Sequence, residues 1–186
     1  MTILPRTFYS RDTVLVAKKL LGKKIVRKIG KSEISGIITE TEAYRHNDDP
    51  ASHAYRKMTE RNKVMFGEVG KAYVYFTYGM HYCFNIVARN SKFEAGAVLI
   101  RAINPEKGIK IMEKNRGLKD RKTLTNGPAK LTQALKITKN HYGLDLTVNS
   151  ELYITDGITI NGKIISSPRI GIKNGTEKLW NFKMTN

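Results

Sequence analysis

Between Thr39 and Tyr55 the chain reads TETEAYRHNDDPASHAY, which gathers Glu40, Glu42, Tyr44, His46, Asp48, Asp49 and His53 within seventeen residues. Carboxylates beside imidazoles offer two chemistries. They can ligate a divalent metal, or they can hold and activate a water as a general base. The metal reading joins Glu42 to His46, Asp48, Asp49 and His53, but this spacing matches no zinc or calcium-loop pattern. The general-base reading centres on Glu42, a carboxylate among aromatic residues with basic ones beside it. Arg101 interrupts the apolar run GAVLIRAI. If buried it needs an anionic partner, and Glu42 or Glu40 would serve. A purely structural salt bridge accounts for the same residues, and the sequence leaves both readings open.

Six of the nine tyrosines (Tyr44, Tyr55, Tyr73, Tyr75, Tyr78 and Tyr82) lie between positions 44 and 82. Tyrosine rings stack on nucleobases, yet aromatic strands more often build core. Tyr78 is set apart by its place beside Gly79-Met80, where a hairpin tip exposes a bulky ring that can wedge into a base stack. Cys83, the single cysteine, lies in the apolar run YCFNIV and reads as a small buried hydrophobe. The segment NGPAK reads either as a phosphate-binding helix start with Lys130 nearby or as an ordinary one.

The elements that position these residues are legible in outline. SRDTVLVAKKLLG predicts a helix with Ser10 as N-cap and Gly22 as its end. KKIVRKIGKSEISGIITETEAY predicts two strands turning near Gly30-Lys31. Period two along the second strand places Ile34, Ile38, Glu40, Glu42 and Tyr44 on one face. KAYVYFTYGMHYCFNIVA predicts two alternating strands around Gly79-Met80, with Tyr73, Tyr75 and Thr77 sharing a face. GAVLIRAI is a further strand. NPEKGIKIMEKNRG predicts a helix with Asn104 as N-cap and Pro105 at its first position. TNGPAKLTQALKI predicts another, with Pro128 in the first turn. The tail from Glu151 to Ile172 reads as short strands joined by DG and NG turns. Without βαβ alternation, the expected fold class is α+β.

The bulk composition narrows the partners. Lys and Arg total 33 against 16 Asp and Glu, a formal net charge of +17 over 186 residues. Such a field attracts polyanions, nucleic acid foremost. The length suits one domain able to bury about 70% of its unfolded surface. A lone cysteine excludes an internal disulfide and a cysteine-built zinc site, and fits a reducing compartment. The N-terminal residues have no signal-peptide core, and no apolar run is long enough to span a membrane.

Taken together, the segments TETEAY, SHAY, TERNKVMF, YVYFTYGMHYCFNIV, VLIRAINP and NGPAKLTQAL resemble the alkyladenine (3-methyladenine) DNA glycosylase family. The likeness runs from RTFYSRD to SPRIGI, almost the whole chain. It implies one compact domain over residues 1–186, a curved, mainly antiparallel sheet with surrounding helices, acting on double-stranded DNA that contains damaged purines. By position, Tyr78 resembles the family's intercalating wedge, and Met80 and His81 would touch the minor groove. The flipped base would lie between Tyr44 and the pair His53 and Tyr75. Asn85 would stand at the pocket floor and discourage guanine. Glu42 would activate the attacking water, helped by Arg101 and by the backbone carbonyl of Ile170. The resemblance implies a monofunctional enzyme that releases alkylated or deaminated purines without metal or cofactor and leaves an abasic site. His81 departs from the aromatic residue of some relatives, and KLWNFKM follows the family ending only loosely.

Two rivals remain at this level: a metal-dependent nuclease, and a nucleic-acid-binding protein without catalysis. A monomer is expected, because one domain suffices for the site. The expected location is cytoplasmic and nucleoid-associated in a bacterium, or nuclear in a eukaryote.

Overall fold

A computed structural model describes residues 2–185. Two short helices come first, α1 (Arg6–Tyr9) and α2 (Thr13–Leu20). Asp12, not Ser10, caps α2. Its carboxylate accepts from the N–H groups of Val14 and Leu15 at 2.9 and 3.3 Å, while the Ser10 hydroxyl donates back to the Arg6 carbonyl. An acid at this end satisfies two of the free N–H groups and complements the helix dipole. Val16, Ala17 and Leu20 of α2 are buried, and Gly22 (φ +76°) lets the chain turn away after it.

Eight strands follow: β1 (Lys24–Ile29), β2 (Ser32–Arg45), β3 (Ala72–Thr77), β4 (His81–Val87), β5 (Gly96–Lys107), β6 (Leu152–Thr155), β7 (Ile164–Ser167) and β8 (Asn181–Met184). They form one sheet in the order β3-β4-β5-β2-β1-β6, with β8 paired to both β2 and β7. Every pairing is antiparallel. With helices packed on it the molecule is an α+β fold, as expected. The main core lies on one face, where Ile34, Ile38, Ala43, Val74, Phe84 and Ile100 meet α2 and two later helices. A smaller cluster of Tyr73, Val87, Ala97, Ala54 and Met65 occupies the opposite face.

Period two fails at one place in β2. Ile38 pairs with Ile103, Glu40 with Ala102, and Thr41 with Ile100. Thr39 is therefore an extra residue on β2, and Arg101 is an extra residue on β5. The two bulges cancel and restore the register, but between them β2 turns over. Ile34 and Ile38 face the main core before the bulge, and Thr41 and Ala43 face it afterwards, with the Thr41 hydroxyl on the Ala17 carbonyl at 2.9 Å. Glu40 and Glu42 still share a face, as expected, but it is the face opposite the apolar stripe. Bulges re-aim side chains in this way. Here β2 also changes partner, from β1 through Ile37 to β8 at Glu40–Glu42.

Two other elements differ from expectation. Asn104 and Pro105 belong to β5, opposite Ile37 and Gly36, and the helix begins only after Gly108 as α3 (Ile109–Arg116). β4 pairs with β5 only as far as Leu99. Beyond it β5 has no β4 neighbour, so a proline without an N–H is tolerated there. The DG and NG pairs of the tail do not make hairpins: β6 pairs with β1, and β7 with β8. The helix α4 (Pro128–Ala134) starts at Pro128 as expected, and Lys130 is hydrogen-bonded to Asn126 at 2.8 Å.

Candidate active site

The turned-over end of β2 places Glu42 with its side chain fully buried. Three donors hold it. The Tyr44 hydroxyl donates to Oε2 at 2.8 Å, and the Ile170 N–H and the Asn181 amide donate to Oε1 at 2.8 and 3.1 Å. Nη1 of Arg101 stands 3.3 Å from Oε2, while its Nε donates to Glu40 at 2.9 Å. Asn181 also donates to Glu40, at 2.9 Å, and so bridges the two carboxylates. Arg101 thus meets both acids that could have been its partner. The two carboxylates tolerate each other because a guanidinium and an amide stand between them.

Beside this cluster opens a cavity of about 400 Å³. Tyr44, His53, Tyr75, Asn85 and Arg101 line it, and the exposed residues Tyr78 and Ile170 border it. Glu42 lies behind Tyr44, Arg101 and Ile170 rather than on the wall. The rings of His53 and Tyr75 meet edge to face, with centroids 4.6 Å apart. Nδ1 of His53 is 2.7 Å from the Tyr73 hydroxyl. The Asn85 amide donates to the Tyr73 carbonyl at 3.1 Å, which fixes that side chain against the wall. Ile170 reaches Glu42 through its backbone N–H.

Burial dominates the local acidities. The imidazole of His53 is pushed down to about 4, first by burial and then by the nearby Arg61 cation. The hydroxyls of Tyr44 and Tyr75 are raised, chiefly by burial, and for Tyr44 also by the Glu42 charge. Burial likewise raises the thiol of Cys83, which lines the cavity as a buried free cysteine. Desolvation disfavours the charged form of each.

At the far end of the β3–β4 hairpin, Tyr78 and Gly79 both adopt positive φ, +50° and +67°. Three residues, Tyr78 to Met80, join Thr77 to its partner His81, and a left-handed tyrosine among them is strained. Tyr78 is 84% exposed, and Met80 is 68% exposed next to it. His81 opens β4 opposite Thr77. Neither Met80 nor His81 lines the cavity.

The metal constellation does not assemble. Among the described residues no group of three or more His, Cys, Asp or Glu side chains is placed to hold an ion. Asp48 binds Arg45, Asp49 binds Arg169, His53 meets Tyr73, and His46 packs edge-on to Phe66. Sequence reasoning missed Asn181 and Arg61, and it named Tyr73 among the clustered tyrosines without assigning it a place in the site. Asn181 comes from β8, some 140 residues after Glu42 (139 by sequence separation), and only the pairing of β8 with β2 brings it in. Arg61 stands 4.9 Å over the Tyr75 ring. Its place in TERNKVMF was the only signal for it.

Comparison with known proteins identifies the family. The sequence profile of the family described as methylpurine-DNA glycosylase (MPG) matches residues 7–186. A protein of Carboxydothermus hydrogenoformans named "Putative 3-methyladenine DNA glycosylase" is 51% identical over 185 residues, covering 99% of this chain and 96% of its own length. Proteins with the same name from Prosthecochloris aestuarii and Methanocella arvoryzae are 49% and 44% identical, covering 94% and 98% of this chain and 84% and 92% of their own. On the strength of the matched profile and of relatives aligned along nearly their full length, the chain belongs to the methylpurine-DNA glycosylase family.

Proposed function

We propose that this DNA glycosylase turns a damaged purine, alkylated or deaminated, out of duplex DNA into the cavity and hydrolyses its N-glycosidic bond. The observation that carries the reading is a wholly buried, donor-held carboxylate, Glu42, directly behind a base-sized aromatic cavity. Tyr44 on one side and the His53–Tyr75 pair on the other supply stacking surfaces. Tyr78, exposed and strained at its hairpin tip, fills the gap left in the duplex, with Met80 and His81 beside it in the minor groove.

Glu42 acts as the general base. Three hydrogen bonds take three of its roughly four lone-pair sites, and the fourth, on Oε2, faces Nη1 of Arg101 at 3.3 Å without a hydrogen bond, so that a water entering beside the guanidinium can take that site. A water there gives its proton to Glu42 as its oxygen attacks C1′ of the sugar. The bond from C1′ to the purine nitrogen breaks, and its electron pair leaves with the base. An alkylated purine leaves readily because it already carries positive charge, whereas a neutral one such as hypoxanthine must take up a proton. Arg101 holds the carboxylate in place. Asn85 narrows the pocket floor against guanine. The product is an abasic site. Flipping costs a few kcal/mol, least for a damaged base that pairs poorly, so duplex weakness contributes to selection. Every residue of the site comes from one chain, so a monomer suffices. Among the described residues no helix is long and apolar enough to cross a membrane, and the reading places the enzyme with the chromosomal DNA.

The test is single-turnover base release in excess chelator, on duplexes carrying one hypoxanthine or one 3-methyladenine. Strand breaks that appear only after alkali, and are lost in Glu42→Gln while binding to damaged DNA persists, support the reading. Full activity in Glu42→Gln removes it.

A further inference from the structure

Asp49 and Arg169 form an ion pair that touches neither the cavity nor Glu42, yet it stands behind both. Nη1 and Nη2 of Arg169 each donate to one oxygen of Asp49, both at 2.6 Å. The pair side chains are fully buried. Asp49 is further tied by the N–H groups of Arg45 and Ala51, at 3.1 and 3.2 Å. Arg169 also donates to the carbonyls of Ala43 and Gly175, at 2.8 and 3.3 Å. Three of these six hydrogen bonds tie the loop carrying Ile170 to β2 and the loop after it, which leads to His53, and the other three brace Asp49 and Arg169 within their own segments. Gly175 (φ +68°) admits this arrangement. A Cβ there would stand 3.0 Å from Nη2 of Arg169 and 3.4 Å from Oδ1 of Asp49.

Two consequences reach the site directly. The residue after Arg169 is Ile170, whose N–H holds Glu42 at 2.8 Å. The Arg169 guanidinium also lies 4.7 Å from the centroid of the Tyr44 ring, whose hydroxyl holds Glu42 from the other side. Two of the three hydrogen bonds to Glu42 therefore come from groups set in place by Arg169. An ion pair taken wholly out of water adds little net stability over an apolar pair of the same shape. Its bidentate, planar geometry instead fixes position.

We propose that Asp49 and Arg169 are positioning residues: they fix the Ile170 N–H and the Tyr44 ring, and through both set the orientation of Glu42 during base release. The proposal rests on Glu42 being the general base. It predicts an effect on the chemical step and not on DNA binding, because neither residue meets the cavity.

Arg169→Lys keeps the charge opposite Asp49 but loses the two-pronged contact and the flat face against Tyr44. The expected result is a folded protein, by circular dichroism, whose single-turnover release of hypoxanthine falls about tenfold to a hundredfold. Affinity for a duplex containing a reduced abasic site should stay within about threefold of the parent. In a Glu42→Gln background, Arg169→Lys should cause no further loss, since it acts through Glu42. If Arg169→Lys does not fold, the double variant Asp49→Asn with Arg169→Gln replaces the buried charges by an amide pair and is measured in the same way. A folded variant that releases base at the parental rate overturns the proposal. So does a loss confined to DNA affinity, or an equal further loss in the Glu42→Gln background. Parental activity in Glu42→Gln alone would instead overturn the general-base reading, and the route through Glu42 with it.

Discussion

The hydroxyl of Tyr44 donates to Oε2 of Glu42 at 2.8 Å while its ring lines the cavity. One residue thereby serves two neighbours, and the two services can be separated. Tyr44→Phe keeps the stacking face and removes one donor from a buried carboxylate. A denaturant titration should show a loss of about 1–3 kcal/mol. Base release should fall while damaged-duplex affinity stays near the parental value. Tyr44→Ala should lose that affinity too. Equal affinity in both variants would show that the ring does not stack on the base.

Tyr78 should show opposite effects on stability and binding. Its left-handed backbone (φ +50°) is strained by about 1–2 kcal/mol for a residue with a side chain. Tyr78→Gly removes that strain but loosens the unfolded chain by about 0.4–1 kcal/mol. The melting temperature should therefore hold or rise slightly. Affinity for a damaged duplex should drop about tenfold to a hundredfold with loss of the stacking ring. A destabilised Gly variant that binds normally would contradict the role of the tip.

His53 gives a pH signature. Its imidazole ionises at about 4, against 6.5 in an ordinary setting. Between these values the unfolded chain binds the proton and the folded one does not. The resulting stability is complete above pH 6.5 and is lost as the pH falls through about 4. The imidazole resonance should titrate near 4 by NMR. Arg61→Gln should move it up only part of the way, because burial is the larger cause. A midpoint at the ordinary value would mean that the ring is solvated.

Arg101→Gln leaves Glu40 and Glu42 facing each other with only the Asn181 amide between them. Breaking such a partly buried pair should destabilise the fold by about 3–5 kcal/mol. Adding Glu40→Gln should recover part of that loss, by neutralising one of the two acids. Additive losses in the double variant would mean that the carboxylates do not interact through Arg101.

Local pattern carried the sequence reading a long way. The β1–β2 and β3–β4 hairpins, the exposure of Tyr78 and the proline start of α4 all follow from residues adjacent in the chain. Tyr75 and Asn85 meet on the cavity wall because alternation along β3 and β4 places them there, while Arg101 joins them from the β5 bulge, Tyr44 from the end of β2 and His53 from the loop after it. What escaped was long-range. Nothing near Ser35 or Asn104 announces that β5 continues past Pro105 along Gly36. Asn181 and Arg169 reach the site only through pairings and loops that close more than a hundred residues of chain. The Thr39 and Arg101 bulges are a joint property of two strands, invisible in either alone.

Those cancelling bulges also guard the fold. Paired without them, β2 would send Glu40 and Glu42 into the apolar layer beneath α2, where an unpaired carboxylate is prohibitive. The acids of the site therefore act as proofreaders of strand pairing. A misaligned chain is rejected by the same charges that a correctly aligned chain presents to Arg101, so acquiring the register and acquiring the site are a single folding decision.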